Sequence, residues 1–424
     1  MYKMIGKIQL HKKISLLEVV VLGMLMLAAL LGVVNITLLT IGVVVCFGVL
    51  LLYDKLYLAF PFVIFYNILY GTALGISVLR IFTFFVLCNV FFRLKERYVF
   101  KVKNAIPLII YMFYIIFVMT YNVGFFSSLY IIMDILCCFI IVSDIKKKPN
   151  ALKEFSKLYV LICLISYFSG MLMDNYIRNE YSFSRFNGTF EDPNYMGFFF
   201  TIAIWALICL KLFDKRIRYC FVVVLYLMIL STLSITAVVV NIILWIFYLA
   251  TMGKLKFKSV GAVLIIVFLA VSLYNYGLKN PNMIVIGEFS ERIESSLENF
   301  LLGDIGEATT GRTELAAEHM EYFWSLSIVN ILFGGIPSNS RFIHPNLRAA
   351  AHNEYVDMLL NVGIIGTTLM LGYFISMLIT YWKKYKENRE DEYLFFVIGK
   401  NIWLLYAMTL TMFLDYRFLF MFLI

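Results

Sequence analysis

Three short polar stretches carry the residues best suited to chemistry. They read Arg185-Phe-Asn-Gly-Thr-Phe-Glu-Asp-Pro-Asn194, Thr309-Thr-Gly-Arg312-Thr-Glu314 and Arg348-Ala-Ala-Ala-His352-Asn-Glu-Tyr355. An arginine presents a planar fork of donors that matches phosphate or carboxylate. Histidine is the side chain best suited to take a proton near neutral pH. Arg185, Arg312 and Arg348 with His352 therefore fit a phosphate-bearing substrate held beside a proton acceptor. They do not fit a metal centre, because His319, His344 and His352 stand at no ligand spacing.

Each stretch also has a plainer reading. Asn187-Gly188 and Asp192-Pro193 mark turns, and Asp192 can cap a following helix with Pro193 at its first position. That leaves Arg185 unexplained, since a turn does not need it. The small-polar and glycine run before Arg312 predicts a helix start, where a cation opposes the helix dipole. A bound anion would reverse that sign. Alternatively, Arg312 pairs with Glu314 or Glu307. Arg348 and His352 are four apart and, if helical, share a face. They are then either snorkelling groups at an interface or a phosphate clamp beside a base.

The elements that must hold these residues are apolar. The chain has 424 residues, 62% hydrophobic and 15% charged, with mean hydropathy +0.87. A soluble domain carries about 25% charged residues. Apolar runs predict spans near 16–34, 36–53, 56–70, 73–92, 106–121, 127–143, 157–174, 194–211, 217–233, 236–252, 259–276, 354–380 and 393–412. The runs are unbroken rather than alternating, which selects helices over a barrel. The fold class is thus an all-α polytopic membrane protein with about 12–13 transmembrane helices and one large outward loop containing short helices. The whole of 1–424 reads as a single membrane domain. The seven cysteines lie in or at the ends of apolar runs and read as packing residues.

The net charge of +9 does not mark a nucleic-acid partner. With the N-terminus inside as a retained signal-anchor, 26 of the 36 Lys and Arg fall in cytoplasmic segments. Eight fall outside: Arg178, Arg185, Lys279, Arg292, Arg312, Arg341, Arg348 and Arg417. Arg80 and Lys400 sit in or beside spans. Two outward segments are long, 174–193 and 277–353, and loops of that length usually have a job. The larger contains an amphipathic stretch over 289–302, with Phe289, Ile293, Leu297 and Phe300 at helical spacing. Gly363-Ile-Ile-Gly366 predicts close helix packing. Asp134 and Arg80 are ionisable groups inside apolar runs, which a proton-coupled transporter would also show.

The order of these pieces resembles the O-antigen polymerase and O-antigen ligase superfamily. The carrying motifs are Arg-x-x-Gly-Thr-Phe-x-x-Pro-Asn from Arg185, Thr-Gly-Arg ending at Arg312, Phe333-Gly-Gly335, and His352-Asn353 leading to Gly363-Ile-Ile-Gly366. They lie in 185–197 and 311–366, while the topology matches over the whole chain. An aromatic residue common after Thr-Gly-Arg-x-x-Leu is replaced here by Ala316. The resemblance implies a metal-independent, cofactor-free, inverting glycosyltransferase in the cell membrane. It implies an undecaprenyl-diphosphate-linked oligosaccharide as substrate, membrane lipid as surroundings, and a chain-length regulator and flippase of the same pathway as candidate partners. In it, outward arginines hold the donor diphosphate and a histidine opening a late span assists the acceptor. Those positions are Arg185, Arg312 and His352, whereas Arg348 enters from spacing alone. A polymerase of repeat units is the first expectation. A ligase moving glycan to another acceptor, or a flippase for lipid-linked glycan, are the alternatives.

Overall fold

A computed structural model describes residues 36–66, 77–92, 110–118, 125–172, 176–178, 184–190, 192–252, 284–302, 311–335 and 351–410. Positions 23, 120, 279, 412, 415, 417 and 418 are described singly. The expected spans 16–34 and 259–276 lie outside the described residues, apart from Gly23. The described residues are mostly helical, as the unbroken apolar runs require. One small antiparallel pair is added to that all-α pattern: β1 (Tyr176–Arg178) and β2 (Ser184–Phe186), with Ile177 opposite Arg185. The chain divides into two compact units.

The first unit comprises 1–96, 143–175 and 188–190. It holds α1 (Ile36–Leu52), a 3₁₀ turn over Leu56–Ala59, α2 (Phe60–Tyr66) and α3 (Val78–Phe92). Helix α4 (Phe125–Lys147) ends in this unit, and α5 (Ala151–Leu172) follows it. The run expected as one span over 56–70 is thus a 3₁₀ turn leading into a seven-residue helix, as far as Tyr66. Every residue of α2 is buried, as an apolar segment without a polar face must be. Phe65 packs between Tyr159 and Phe190, each ring centroid 5.3 Å away. The Tyr66 hydroxyl meets Ser169 at 2.9 Å, so the buried phenol keeps a partner. The predicted Asn187-Gly188 turn is present, with Gly188 at φ +58°. A Cβ on Gly170 would lie 2.5 Å from the Gly188 backbone, so two backbones meet there.

The second unit comprises 97–142, 176–187 and 191–424. Its centre is α6 (Pro193–Cys209), buried at fifteen of its 17 positions and packed by α7 (Lys215–Ser231), α8 (Ile235–Thr251) and α13 (Asp391–Tyr406). The predicted cap holds: Asp192 accepts from the Asn194 N–H and Pro193 opens the helix. Midway, Thr201 accepts from Asn241 at 2.8 Å and meets the Tyr406 hydroxyl at 3.1 Å. These bonds satisfy three polar groups in an aromatic interior that includes Trp205 against Trp245. At the far end Lys211 pairs with Asp391 at 2.6 Å.

The large loop yields three helices: α9 (Ile284–Leu301), α10 (Arg312–Ser325) and α11 (Ile328–Phe333). The first contains the predicted amphipathic stretch and begins five residues earlier. Helix α10 starts at the predicted position. Then comes α12 (Glu354–Asn388), 35 residues long with an 18-residue window of mean hydropathy 2.0. Among the described residues it is the one helix long and apolar enough to cross a membrane.

Helix α12 breaks at Gly363, where φ is +65° and ψ −175°. The sequence predicted helix-on-helix packing for this glycine. The structure instead packs a turn against it. A Cβ on Gly363 would lie 2.4 Å from the Gly334 nitrogen, and one on Gly334 2.4 Å from the Asn361 carbonyl oxygen. At the break two α12 carbonyls take donors from outside the helix. The Gly335 N–H takes the Leu360 carbonyl at 3.1 Å, and the Tyr114 hydroxyl takes Val362 at 2.6 Å. Gly366 gives Tyr114 room, since a Cβ there would meet the ring at 2.6 Å. Phe333-Gly334-Gly335 and Gly363-x-x-Gly366 are therefore two halves of one joint. Gly334→Ala should destabilise the protein by roughly 2–3 kcal/mol, combining a left-handed backbone with a backbone clash. Gly372→Ala, on the same α12 with open space at its Cβ, should not. Thermal unfolding in detergent checks the pair.

Candidate functional site

Arg312 is the first residue of α10, behind Gly311 at φ +77° with no capping side chain. Its guanidinium Nη1 donates to the Thr409 carbonyl at 3.3 Å, three residues past the end of α13. The residue is half-buried. Burial pushes its pKa below the usual arginine value, and the Asp192 carboxylate and the Tyr195 phenol pull it back up. Asp192 is already engaged, accepting from the Asn194 backbone at 2.6 Å and its side-chain amide at 2.8 Å. Among the described residues no carboxylate lies within ion-pair distance of Arg312. Glu314, which the sequence offered as a partner, is exposed and does not bond to it. Glu307 lies outside the described residues. Arg312 is thus a cation on a neutral carbonyl, at a helix start whose N–H groups also favour an anion.

A second arginine lies over the Tyr195 ring. Arg417 is 5% exposed and grips Asp415 through Nε, at 2.9 Å from both carboxylate oxygens, and through Nη2. Its guanidinium lies 5.5 Å from the Tyr195 ring centroid. Phe418 packs on Phe198 at 4.8 Å and Phe199 at 5.3 Å, which seats it on α6. Arg417 is thus neutralised by a carboxylate, whereas among the described residues Arg312 has none within ion-pair distance.

The start of α12 is tied to the same segment. Asn353 caps the helix, accepting from the Tyr355 N–H at 3.1 Å and the Val356 N–H at 3.4 Å. The buried Glu354 donates its N–H to Ala407 at 2.7 Å and accepts from the Met412 N–H. The Tyr355 hydroxyl donates to Leu404 at 2.9 Å. Residues 407–412 thus receive both Arg312 and the residue after Asn353. His352 is half-buried and stands just before this cap, at φ +48°. It is not helical, so the shared-face relation with Arg348 does not hold: the helix begins at Glu354, behind the Asn353 cap.

Of the other predicted residues, Arg185 lies in β2, paired with Ile177 through the backbone. Its side chain, and Arg348 as a whole, lie outside the described residues. His319 is buried on α10 and donates from Nδ1 to the Leu315 carbonyl at 2.7 Å, which makes it structural. Asp134 is buried in α4, within the second unit, while Arg80 belongs to the first. Among the described residues no three His, Cys, Asp or Glu side chains gather as metal ligands. The sequence reading missed Tyr195, Glu354, Thr409 and Asp415, and counted Arg417 without assigning it a role. The only local signal for Arg417 was an acid two residues before it.

No protein-family model matches the chain, and no curated protein matches it.

Asp415→Ala should leave the Arg417 charge buried without its carboxylate and cost about 3 kcal/mol. Replacing both residues by apolar ones should cost less than that single change. Denaturation in detergent of the two variants checks the order.

Proposed function

We propose that this chain is a multi-pass membrane glycosyltransferase of the O-antigen polymerase and ligase type, joining lipid-diphosphate-linked oligosaccharide repeat units at the outer face of the cell membrane. The observation that carries the reading is Arg312, a half-buried cation bonded to a neutral carbonyl at a helix start. Among the described residues no carboxylate lies within ion-pair distance of it.

Its level in the second unit supports a lipid-borne one. From Asp192 to Lys211 the chain runs through the 17 residues of α6, about 26 Å at the helical rise. Helix α13 runs back over 16 residues, about 24 Å, from Asp391 towards Thr409. The Lys211–Asp391 pair and the Arg312–Thr409 contact are thus separated by nearly the ~30 Å thickness of a hydrocarbon layer. A phosphate at one membrane surface would meet Arg312, while Lys211 faces the other. Exposed apolar side chains along the helices between those levels support the same reading: Leu227, Val239, Ile243, Leu369 and Ile375 are each 40–60% exposed.

In the proposed reaction an acceptor sugar hydroxyl attacks the anomeric carbon of the donor. The bond from that carbon to the diphosphate oxygen breaks, and the leaving diphosphate keeps the electron pair. Arg312, with Arg185 as its expected companion, stabilises the charge gathering on those oxygens. His352 takes the hydroxyl proton. A guanidinium held at a helix start favours a polymerase or a ligase over a flippase, since a fixed donor stabilises a leaving group rather than eases its release.

A purified, reconstituted protein given a synthetic lipid-linked repeat unit should produce a ladder of products. His352→Ala should lower turnover by about 10²–10⁴-fold with insertion unchanged. Arg312→Lys should lose part of the activity and Arg312→Ala nearly all, because the guanidinium fork is what matches a diphosphate. Full turnover with Arg312→Ala would remove the reading.

A further inference from the structure

The joint at Gly363 fixes the height of α11, and its uncovered surface is apolar. None of α11's six residues is buried. Ile328 is 73% exposed, Val329 60%, Phe333 39% and Leu332 38%, and Trp324 just before them is 62% exposed. No charged residue occurs between Glu321 and Arg341. A patch of this kind in water is costly.

Its position says what covers it. The Phe333-Gly334-Gly335 turn is bonded to α12 at Leu360 and Val362, directly and through Tyr114. From Gly363 to Lys383, the first cation at the other end of the apolar run, is twenty residues, about 30 Å at the helical rise. That distance is one hydrocarbon thickness. The turn therefore lies at the outer edge of the hydrocarbon layer if α12 spans it. At that depth irregular backbone survives only where the protein satisfies it, and the Gly335 N–H and Tyr114 hydroxyl do so. Tryptophan is enriched at such a boundary.

The geometry points to α11 and Trp324 as an interfacial anchor, seated among the acyl chains of outer-leaflet lipids. Ile328, Val329 and Phe333 enter the apolar layer and Trp324 sits at headgroup level. Helix α10 leads directly into this anchor through Leu326-Ser327. The anchor thereby ties the helix that carries Arg312 to the membrane surface. The inference rests on the reading of α12 as a membrane span, and adds to it a contact that a span does not require.

The test is a photo-crosslinking amino acid placed singly at Val329, at Ile375 of α12 (48% exposed) and at the exposed Glu314 of α10, in the full chain in phospholipid nanodiscs. Lipid adducts are read by mass spectrometry. The expected result is adducts at 329 and 375, with yield at 314 lower by on the order of tenfold. Adducts at 375 without adducts at 329 would overturn the anchor and leave the span standing. Absence of adducts at 375 would overturn the span and the anchor with it. A chain-to-chain adduct at 329 in place of lipid would overturn it in favour of a second copy of this chain. Equal yields at 314 and 329 would also overturn it, because no boundary would then separate the two helices.

Discussion

A helix that breaks among apolar neighbours must find new partners for the backbone groups it releases. That requirement governs the second unit. Helix α12 breaks at Gly363, and the partners are the Gly335 N–H and the Tyr114 hydroxyl. The turn that brings Gly335 is thereby fixed to α12, and α11 and α10 are fixed with it. The start of α12 is held by its own cap and by the bonds from Glu354 to Ala407 and Met412. Segment 407–412 in turn carries the carbonyl that receives Arg312. Three pieces far apart in sequence, near 312, 353 and 410, are joined by backbone groups that had to be satisfied somewhere.

The charge pattern is explained by the same frame. Lysines facing the cytoplasm in the expected topology need no chemistry: Lys211, for instance, is occupied by Asp391. Among the cations expected outside, Arg417 is held in a buried pair that braces Tyr195. Among the described residues Arg312 bonds to a carbonyl and to no carboxylate. A half-buried charge with no carboxylate at ion-pair distance is costly, and the free N–H groups of a helix start also favour an anion.

Much of the frame was legible in the sequence, because it depends on local rules. The apolar runs marked α1, α4, α6, α7 and α8 to within a few residues, and overran the end of α13 by six. Asp192-Pro193 announced a cap, Gly311-Arg312 a helix start, and Phe289 to Leu302 an amphipathic helix, each a matter of neighbouring residues. What was not legible depends on contacts at long range. Gly363 read as a generic packing glycine, since nothing near it announces that Gly334 is its partner. Whether His352 shares a helix face with Arg348 stayed open, because the Asn353 cap that rules it out shows itself only once the helix start is known. Arg417 gave no sign of reaching Tyr195, more than two hundred residues earlier.

The central claim is that Arg312 waits for a lipid-borne diphosphate. The most direct measurement is an experimental structure of the protein in a lipid nanodisc with a non-hydrolysable polyprenyl-diphosphate-linked sugar. The account predicts diphosphate oxygens roughly 3 Å from the Arg312 guanidinium, at charge-assisted hydrogen-bond distance, with the sugar's anomeric carbon facing His352. A diphosphate bound elsewhere, with Arg312 still turned to the Thr409 carbonyl, would contradict it.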